Sequence, residues 1–322
     1  VITAFHVLVG LWLFALGAVV GSFLNVCIYR IPWQKSVIWP ASHCPKCLRP
    51  IAARDNIPVL SWLALRGECR ACGAPIAARY ALVELLVGLL FVAVFVADVV
   101  VGSRALYDDP APYVRMAYHL ALVCLLVAAT FIDYDLQLIP DEITVPGMLV
   151  GVAVGALVPG VRPDPAAAAT WWEGLKVGLI GLVVGGGLTW LFRFTFSLAL
   201  RREAMGFGDV TLMATIGAFL GWQGAVLTFF LAPFFGLAHA GWKVLKYVKK
   251  LLRRAKTSSG DRELPFGPYL SMAAVALTLA WPWLWEAWGR GFFDTLAVVF
   301  WFLIGADAPP DPTGPLAGGG RG

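Results

Sequence analysis

Apolar runs about the length of a membrane span, separated by short polar stretches, organise this chain. They cover Phe5 to Tyr29, Tyr80 to Val101, Val114 to Ile132, Ile143 to Val158, Gly174 to Leu200, Val210 to Trp222, Ala225 to Trp242 and Phe266 to Trp285. Since roughly 20 apolar residues cross the hydrocarbon core, the pattern predicts an all-α polytopic membrane protein with about eight transmembrane helices. A further run, Phe292 to Ala306, is brief, and the sequence leaves open whether it lies at the interface or forms a ninth span. The first run has no basic stretch before it and no small-residue cleavage pattern, so it is read as a retained span and not a signal peptide. One polar segment, Arg30 to Arg79, contains six prolines and is too broken for a helical bundle. The expected organisation is residues 1–30 as the first transmembrane helix, 31–79 as a polar module, 80–285 as the main transmembrane domain and 286–322 as an interfacial or disordered extension.

Composition supports the membrane class. Hydrophobic residues make up 59% of the 322, charged residues 14%, and the mean hydropathy is +0.76, which excludes an ordinary soluble globular protein. The net charge of +5 is unevenly placed and calls for no nucleic-acid partner. Arg30 to Arg79 holds eight Lys or Arg against two acids, and Lys243 to Leu264 again holds eight against two. By the positive-inside rule both segments are cytoplasmic, in contact with anionic membrane lipid, and the N-terminus lies outside. Counting spans from there, Asp133 ends the third run and Asp209 opens the sixth on the same, cytoplasmic side. The connection from Asp133 to Glu142 breaks the charge rule, with four acids and no basic residue.

A carboxylate at the edge of hydrocarbon is costly and needs a purpose. Alone, either Asp133 or Asp209 reads as an ordinary interfacial residue. Together on one face, with Gly206 and Gly208 letting backbone and substrate come close to Asp209, they read as a two-carboxylate hydrolytic site. Two such groups held together cannot both ionise comfortably, so one can accept a proton from water while the other donates to a carbonyl oxygen. Asp135, Asp141 and Glu142 compete for the first role. Asp141 is expected to cap the helix after Pro140, and Asp135 to sit solvated in the loop.

Cys44-Pro-Lys-Cys47 and Cys69-Arg-Ala-Cys72, with 21 residues between the pairs, have the spacing of a zinc ribbon. Four thiolates fill a tetrahedral site, so the ion is structural and leaves no place for a reactive water. Disulfides would conflict with a cytoplasmic location. Cys27 and Cys124, in apolar runs, are expected to be small core residues, and His6, His119 and His239 have packing roles. Glu84 falls inside the second span near its cytoplasmic end, where it either pairs with a basic residue or lines a polar pocket.

With these residues in place the chain resembles the type IV prepilin peptidases, bifunctional leader peptidases and N-methyltransferases of pilus and type II secretion systems. The likeness runs from Gly21 to Leu270. It is carried by Gly21-Ser-Phe-Leu-Asn-Val26, the two Cys pairs, Asn56-Ile57-Pro58, Arg79-Tyr80 through Glu84, Ile132-Asp133, Ile139-Pro140-Asp141, Gly206-Phe207-Gly208-Asp209 and Pro265-Phe266-Gly267-Pro268-Tyr269. It departs at Ala81, where proline is usual, and in the longer stretch past Trp285.

The resemblance implies a GxGD-type aspartic protease of the bacterial inner membrane with Asp133 and Asp209 as the catalytic pair. It further implies cleavage of a basic prepilin or pseudopilin leader after glycine on the cytoplasmic side. Methylation of the new N-terminus by S-adenosylmethionine would follow, with Asn56 and Glu84 near the methyl donor and zinc on Cys44, Cys47, Cys69 and Cys72. The rivals are a presenilin-like general intramembrane protease, which needs no cysteine module, and a proton- or cation-coupled transporter, for which the midplane acids and internal repeats are lacking. Oligomeric state and the particular substrates are not encoded in any motif found here.

Overall fold

The computed structural model of the chain describes residues 4–101, 112–158, 160–162, 170–203, 205–252 and 265–303. The loop with Arg104, Asp108 and Asp109, most of the connection from Pro159 to Trp172, the later part of the second basic segment and the tail from Asp307 lie outside the described residues.

Among the described residues every regular element is helical. In chain order these are α1 (Ala4–Arg30), α2 (Leu60–Ala64), α3 (Arg79–Phe95), α4 (Pro112–Leu136), α5 (Asp141–Leu157), α6 (Trp171–Leu200), α7 (Phe207–Leu252), α8 (Gly267–Leu284) and α9 (Arg290–Leu303). Five stretches are long and apolar enough to cross a membrane: Ala4–Trp33, Arg79–Val101, Pro112–Leu136, Trp171–Leu200 and Phe207–Lys243. The protein is therefore a multi-pass membrane protein. Helix α5 and the apolar part of α8, Gly267–Trp281, are shorter.

Local chemistry explains several boundaries. Thr170 and Glu173 form a reciprocal capping box that starts α6. Helix α5 begins at Asp141 with Pro140 as its N-cap, so Asp141 is the first helical residue and not the cap, and with Glu142 it faces the positive end of the helix dipole. The sixth and seventh apolar runs form one helical stretch, α7, broken at Gly221 with φ 76° and ψ 177°. The break between those two runs falls on that single residue, in a conformation open to glycine alone. The second arm of α7 then continues as helix through Leu252, so Lys243 to Lys250 are helical and not loop.

The chain divides into two compact units, Val1–Leu279 and Ala280–Gly322. In the second, a π-helical turn, Trp285–Gly289, leads into α9, and Trp281 stacks on Trp285 at 5.3 Å between ring centroids. The first unit contains everything that bears on the site. Its helices approach closely through glycine. A Cβ on Gly17 would stand 2.7 Å from the Phe91 ring, one on Gly21 would stand 2.8 Å from Glu84 Cα, and Gly181 meets the Gly217 carbonyl across the α6–α7 contact. Small residues of this kind let membrane helices pack by dispersion where no hydrophobic effect drives them together.

Two buried charges hold the side of the first unit away from Asp133 and Asp209. Arg162, 5% exposed, donates to the carbonyls of Gly174 (2.6 Å), Gly151 (2.8 Å), Ala218 (3.0 Å) and Gly155 (3.1 Å). Three of those carbonyls belong to the last turns of α5 and of the first arm of α7, where the helix dipole is negative. Cβ atoms on Gly155 or Gly178 would collide with the guanidinium. The second charge is Asp98, in the π-helical extension of α3, which accepts from His119 Nδ1 at 2.8 Å and pairs with Arg115 at 3.4 Å on α4. His119 thus has an ionic partner beyond the packing role its sequence context suggests.

Candidate active site and thiolate centre

The end of α4 begins the site. Asp133 lies in the last turn of the helix, and Gln137, with φ 54°, stops it while its N–H donates to the Asp133 carbonyl at 2.8 Å. The chain then turns back so that Ile139, 7% exposed, is driven into the protein. Two glycines make room for it. A Cβ on Gly208 would lie 2.8 Å from Ile139 Cβ, and one on Gly267 would lie 3.0 Å from Ile139 Cδ1 and 2.5 Å from Asp133 Oδ2. Ile139 is thus the hydrophobic pin on which the starts of α7 and α8 converge beside Asp133. The sequence marks it only as part of an Ile-Pro-Asp run and assigns it no task.

Asp209 sits in the first turn of α7, with its carboxyl Oδ2 3.7 Å from where a Cβ of Gly206 would stand. It is 8% exposed, Asp133 is 6% exposed, and the two carboxyl groups are within electrostatic reach of each other. Asp133 Oδ2 is buried without a hydrogen-bond partner among the described residues, although the Gly267 backbone N–H faces that carboxyl group. A buried acceptor lacking a partner is costly in a purely structural group and suits one that meets water or substrate. The segment ahead of α7 is fastened by Arg193 of α6, whose Nε donates to the Met205 carbonyl at 2.8 Å and whose guanidinium lies 5.8 Å from the Phe207 ring centroid. Two residues beyond Gly267, Tyr269 of α8 is hydrogen-bonded to His239 Nδ1 on the second arm of α7 at 2.7 Å. Arg193 and His239 were not distinguishable as site neighbours, because neither stands in a motif with Asp209.

The competing acids separate from this pair. Asp135 is helical and not in a loop, and it is not freely solvated. Arg79 grips both its oxygens, at 2.7 and 2.5 Å, while lying over the Phe131 ring at 5.0 Å. Asp141 and Glu142 are exposed in the first turn of α5.

The polar module is built from two matching knuckles. In the first, Cys44 N–H donates to Arg49 C=O and Leu48 N–H to Cys44 C=O; in the second, Cys69 N–H donates to Ala74 C=O and Gly73 N–H to Cys69 C=O. Each has a left-handed residue after its second cysteine, Leu48 at φ 57° and Gly73 at φ 67°. The ligand atoms of Cys44, Cys47, Cys69 and Cys72 all lie within 4.8 Å of one another. N–H groups of Cys47 and Lys46 draw the Cys44 thiol down to about 6. The Ala74 N–H pulls Cys72 in the same direction, but desolvation and its sulfur neighbours push it up to about 11. The cluster thus gathers negative charge that a cation would relieve, and the donor set fits a tetrahedral metal ion. Arg70, between the second pair of cysteines, is clamped to Asp55 at 2.8–3.0 Å and ties that knuckle to the rest of the module.

Asn56 lines a cleft of about 300 Å³ along α1, whereas Glu84 Oε2 accepts the Val59 N–H at 2.8 Å. Val59 has φ 63° and ψ −52°, and the Leu60 N–H donates to the Pro58 carbonyl around it at 2.6 Å. This tight turn is strained for a β-branched residue and is held by the Glu84 carboxylate.

Comparison with known proteins places these features in a family. The Bacterial Peptidase A24 N-terminal domain matches residues 15–97 and the Type IV leader peptidase family matches residues 120–241. The chain is 34% identical to a prepilin leader peptidase/N-methyltransferase of Myxococcus xanthus, covering 87% of this chain and 92% of that protein. It is 37% identical to one of Aeromonas hydrophila (83% and 89% covered) and 35% identical to one of Pseudomonas putida (85% and 88%). No solved structure matches. With both halves matched and relatives aligned over most of their length, this chain belongs to the prepilin leader peptidase/N-methyltransferase family.

Proposed function

We propose that this protein is a bifunctional membrane enzyme that removes the leader of a prepilin or pseudopilin and methylates the N-terminus so created. The observation that carries the peptidase half is the convergence of two buried carboxyl groups, Asp133 and Asp209, at the starts and ends of three helices. In the hydrolytic step one carboxylate removes a proton from the attacking water and the other carboxylic acid gives its proton to the scissile carbonyl oxygen. Collapse of the tetrahedral intermediate then expels the amine, which leaves with a proton returned by the pair. No metal and no covalent intermediate is needed. Gly206, where an added Cβ would meet nothing nearer than 3.7 Å, leaves space beside Asp209 for the backbone of an extended leader, while Gly208 and Gly267 let Ile139 and Asp133 pack against the starts of α7 and α8.

For the module the proposed ion is zinc, held by Cys44, Cys47, Cys69 and Cys72. Its contribution is folding energy for a small loop-rich segment, not reactivity. For methyl transfer the donor is S-adenosylmethionine, and the strained Val59 turn held by Glu84 marks the neighbourhood in which we place it, Asn56 being directed to the cleft on α1 instead. The setting is the bacterial inner membrane, with eight spans and both basic segments on the cytoplasmic side, where leader and methyl donor are present.

The experiment is to incubate the detergent-purified protein with a prepilin peptide and S-adenosylmethionine and to weigh the products. The expected result is a peptide shortened at the leader junction and heavier by one methyl group. A peptide cleaved at many sites would favour the general protease, and an intact peptide would remove the enzymatic reading.

A further inference from the structure

The cleft on α1 has one wall on the helix and the other on the module. Its helical wall is the stripe Val19, Phe23, Val26 and Arg30, and its module wall includes Ser42 and Asn56. From Val19 to Arg30 the helix rises about 16 Å, close to half of the ~30 Å hydrocarbon core, which is the depth of one leaflet. Val19 and Phe23 are more than half exposed on the flank of a membrane-spanning helix, so the apolar part of the cleft opens toward lipid.

The other end is cationic. Arg30, the last residue of α1, is 8% exposed, and its guanidinium donates to the carbonyls of Ser36 (2.9 Å) and Pro40 (2.7 Å). No carboxylate among the described residues is paired with it. A buried cation with only neutral partners is short of a counter-ion, and the cleft is the open side from which one can come. Around this end Trp33, Ile38 and Trp39 are 62%, 86% and 76% exposed, the kind of side chain that settles at a membrane interface. The cleft is therefore apolar over about two-thirds of one leaflet's depth and cationic where headgroups lie.

We propose that this cleft is a binding site for an anionic phospholipid of the leaflet on the module's side. An acyl chain lies along Val19, Phe23 and Val26, and the phosphate faces Arg30 with Ser42 and Asn56 at hand. Because Arg30 also holds the Ser36 and Pro40 carbonyls, the lipid fastens the module's first loop to the membrane. The apolar stripe, about 10 Å from Val19 to Val26, selects a lipid over the methyl donor, which has no hydrocarbon part of that length. The site stands independently of the peptidase assignment.

The test uses the whole protein, delipidated in detergent and then supplied with phosphatidylglycerol or phosphatidylcholine, with bound lipid read by native mass spectrometry. The parent should retain one phosphatidylglycerol about fivefold more strongly than phosphatidylcholine, as expected for one basic contact. Val26→Trp, which fills the cleft while leaving the Arg30 charge in place, should lose that retained lipid while keeping its zinc content and leader cleavage. Arg30→Gln should abolish the preference between headgroups. Equal retention of the two lipids by the parent, or undiminished retention by Val26→Trp, would overturn the proposal. Displacement of the lipid by micromolar S-adenosylmethionine would also overturn it and reassign the cleft to the methyl donor.

Discussion

Gly267 stands so close to Asp133 that a Cβ added to it would lie 2.5 Å from Asp133 Oδ2. No real contact is that short, so any side chain at 267 must push α8 and the carboxyl group apart. We predict that Gly267→Ala lowers the rate of leader cleavage about 100-fold, the usual consequence of moving a reacting group by about 1 Å. Methylation of a pre-cleaved peptide should be unchanged. Parent-like cleavage by this variant would show that the start of α8 has no part in setting the site.

Asp135 is two residues from Asp133 yet is engaged by Arg79 across the gap to α3. Both partners are more than a third exposed, so the pair contributes about 0–1 kcal/mol. Asp135→Asn should leave cleavage within about fivefold of the parent on that scale. Complete loss of cleavage, with insertion and zinc content intact, would make Asp135 the first acid instead.

Arg162 fills the space beside Gly155 and Gly178 and donates to four carbonyls, of which Gly151 and Ala218 also accept from the Tyr118 hydroxyl while Gly155 and Gly174 have Arg162 as their side-chain donor. Arg162→Met should destabilise the fold by about 3 kcal/mol or more, since each carbonyl left buried without a donor costs about 1–3 kcal/mol. The measurement is the midpoint of unfolding in detergent. An unshifted midpoint would mean that water reaches these carbonyls as well as the guanidinium does.

The thiolate module carries the Val59 turn beside which the methyl donor is proposed to bind, and binding of its ion would supply its folding energy. Cys44→Ser with Cys47→Ser should release the metal, loosen the module and suppress methyl transfer more than peptide cleavage. Metal content and both activities are to be measured on one preparation. Methylation of a pre-cleaved substrate at the parent rate by the metal-free protein would assign the module to stability or docking.

What could be read from the sequence was whatever depends on short-range order. Span-length apolar runs show themselves by composition, and Cys-x-x-Cys pairs by spacing, so the membrane class and the four-sulfur cluster were visible before any coordinates. Asp133 and Asp209 drew attention because carboxylates at the ends of apolar runs are rare and the alternation of runs predicts that both lie on one side, and the fold buries both. Contacts made across the fold were not legible. Arg162 looked like one charge in a mixed loop, because its four carbonyl partners come from helices brought together only by packing. The pairing of Asp135 with Arg79 spans 56 residues, and the role of Ile139 depends on glycines 69 and 128 positions away. The pattern separated two runs near Gly221 but did not show that they join as one broken helix, since hydropathy records where a run ends but not how few residues glycine needs to redirect it.

The central claim is that Asp133 and Asp209 perform leader cleavage as a pair. Asp133→Asn and Asp209→Asn are each nearly isosteric and keep the buried site filled, so each should insert, bind its metal and retain the parent's unfolding midpoint. The decisive measurement is the cleavage rate of each purified variant on a prepilin peptide, alongside methylation of a pre-cleaved peptide as the control for an intact protein. The account predicts no detectable cleavage by either variant with methylation preserved; cleavage at the parent rate by either one would contradict it.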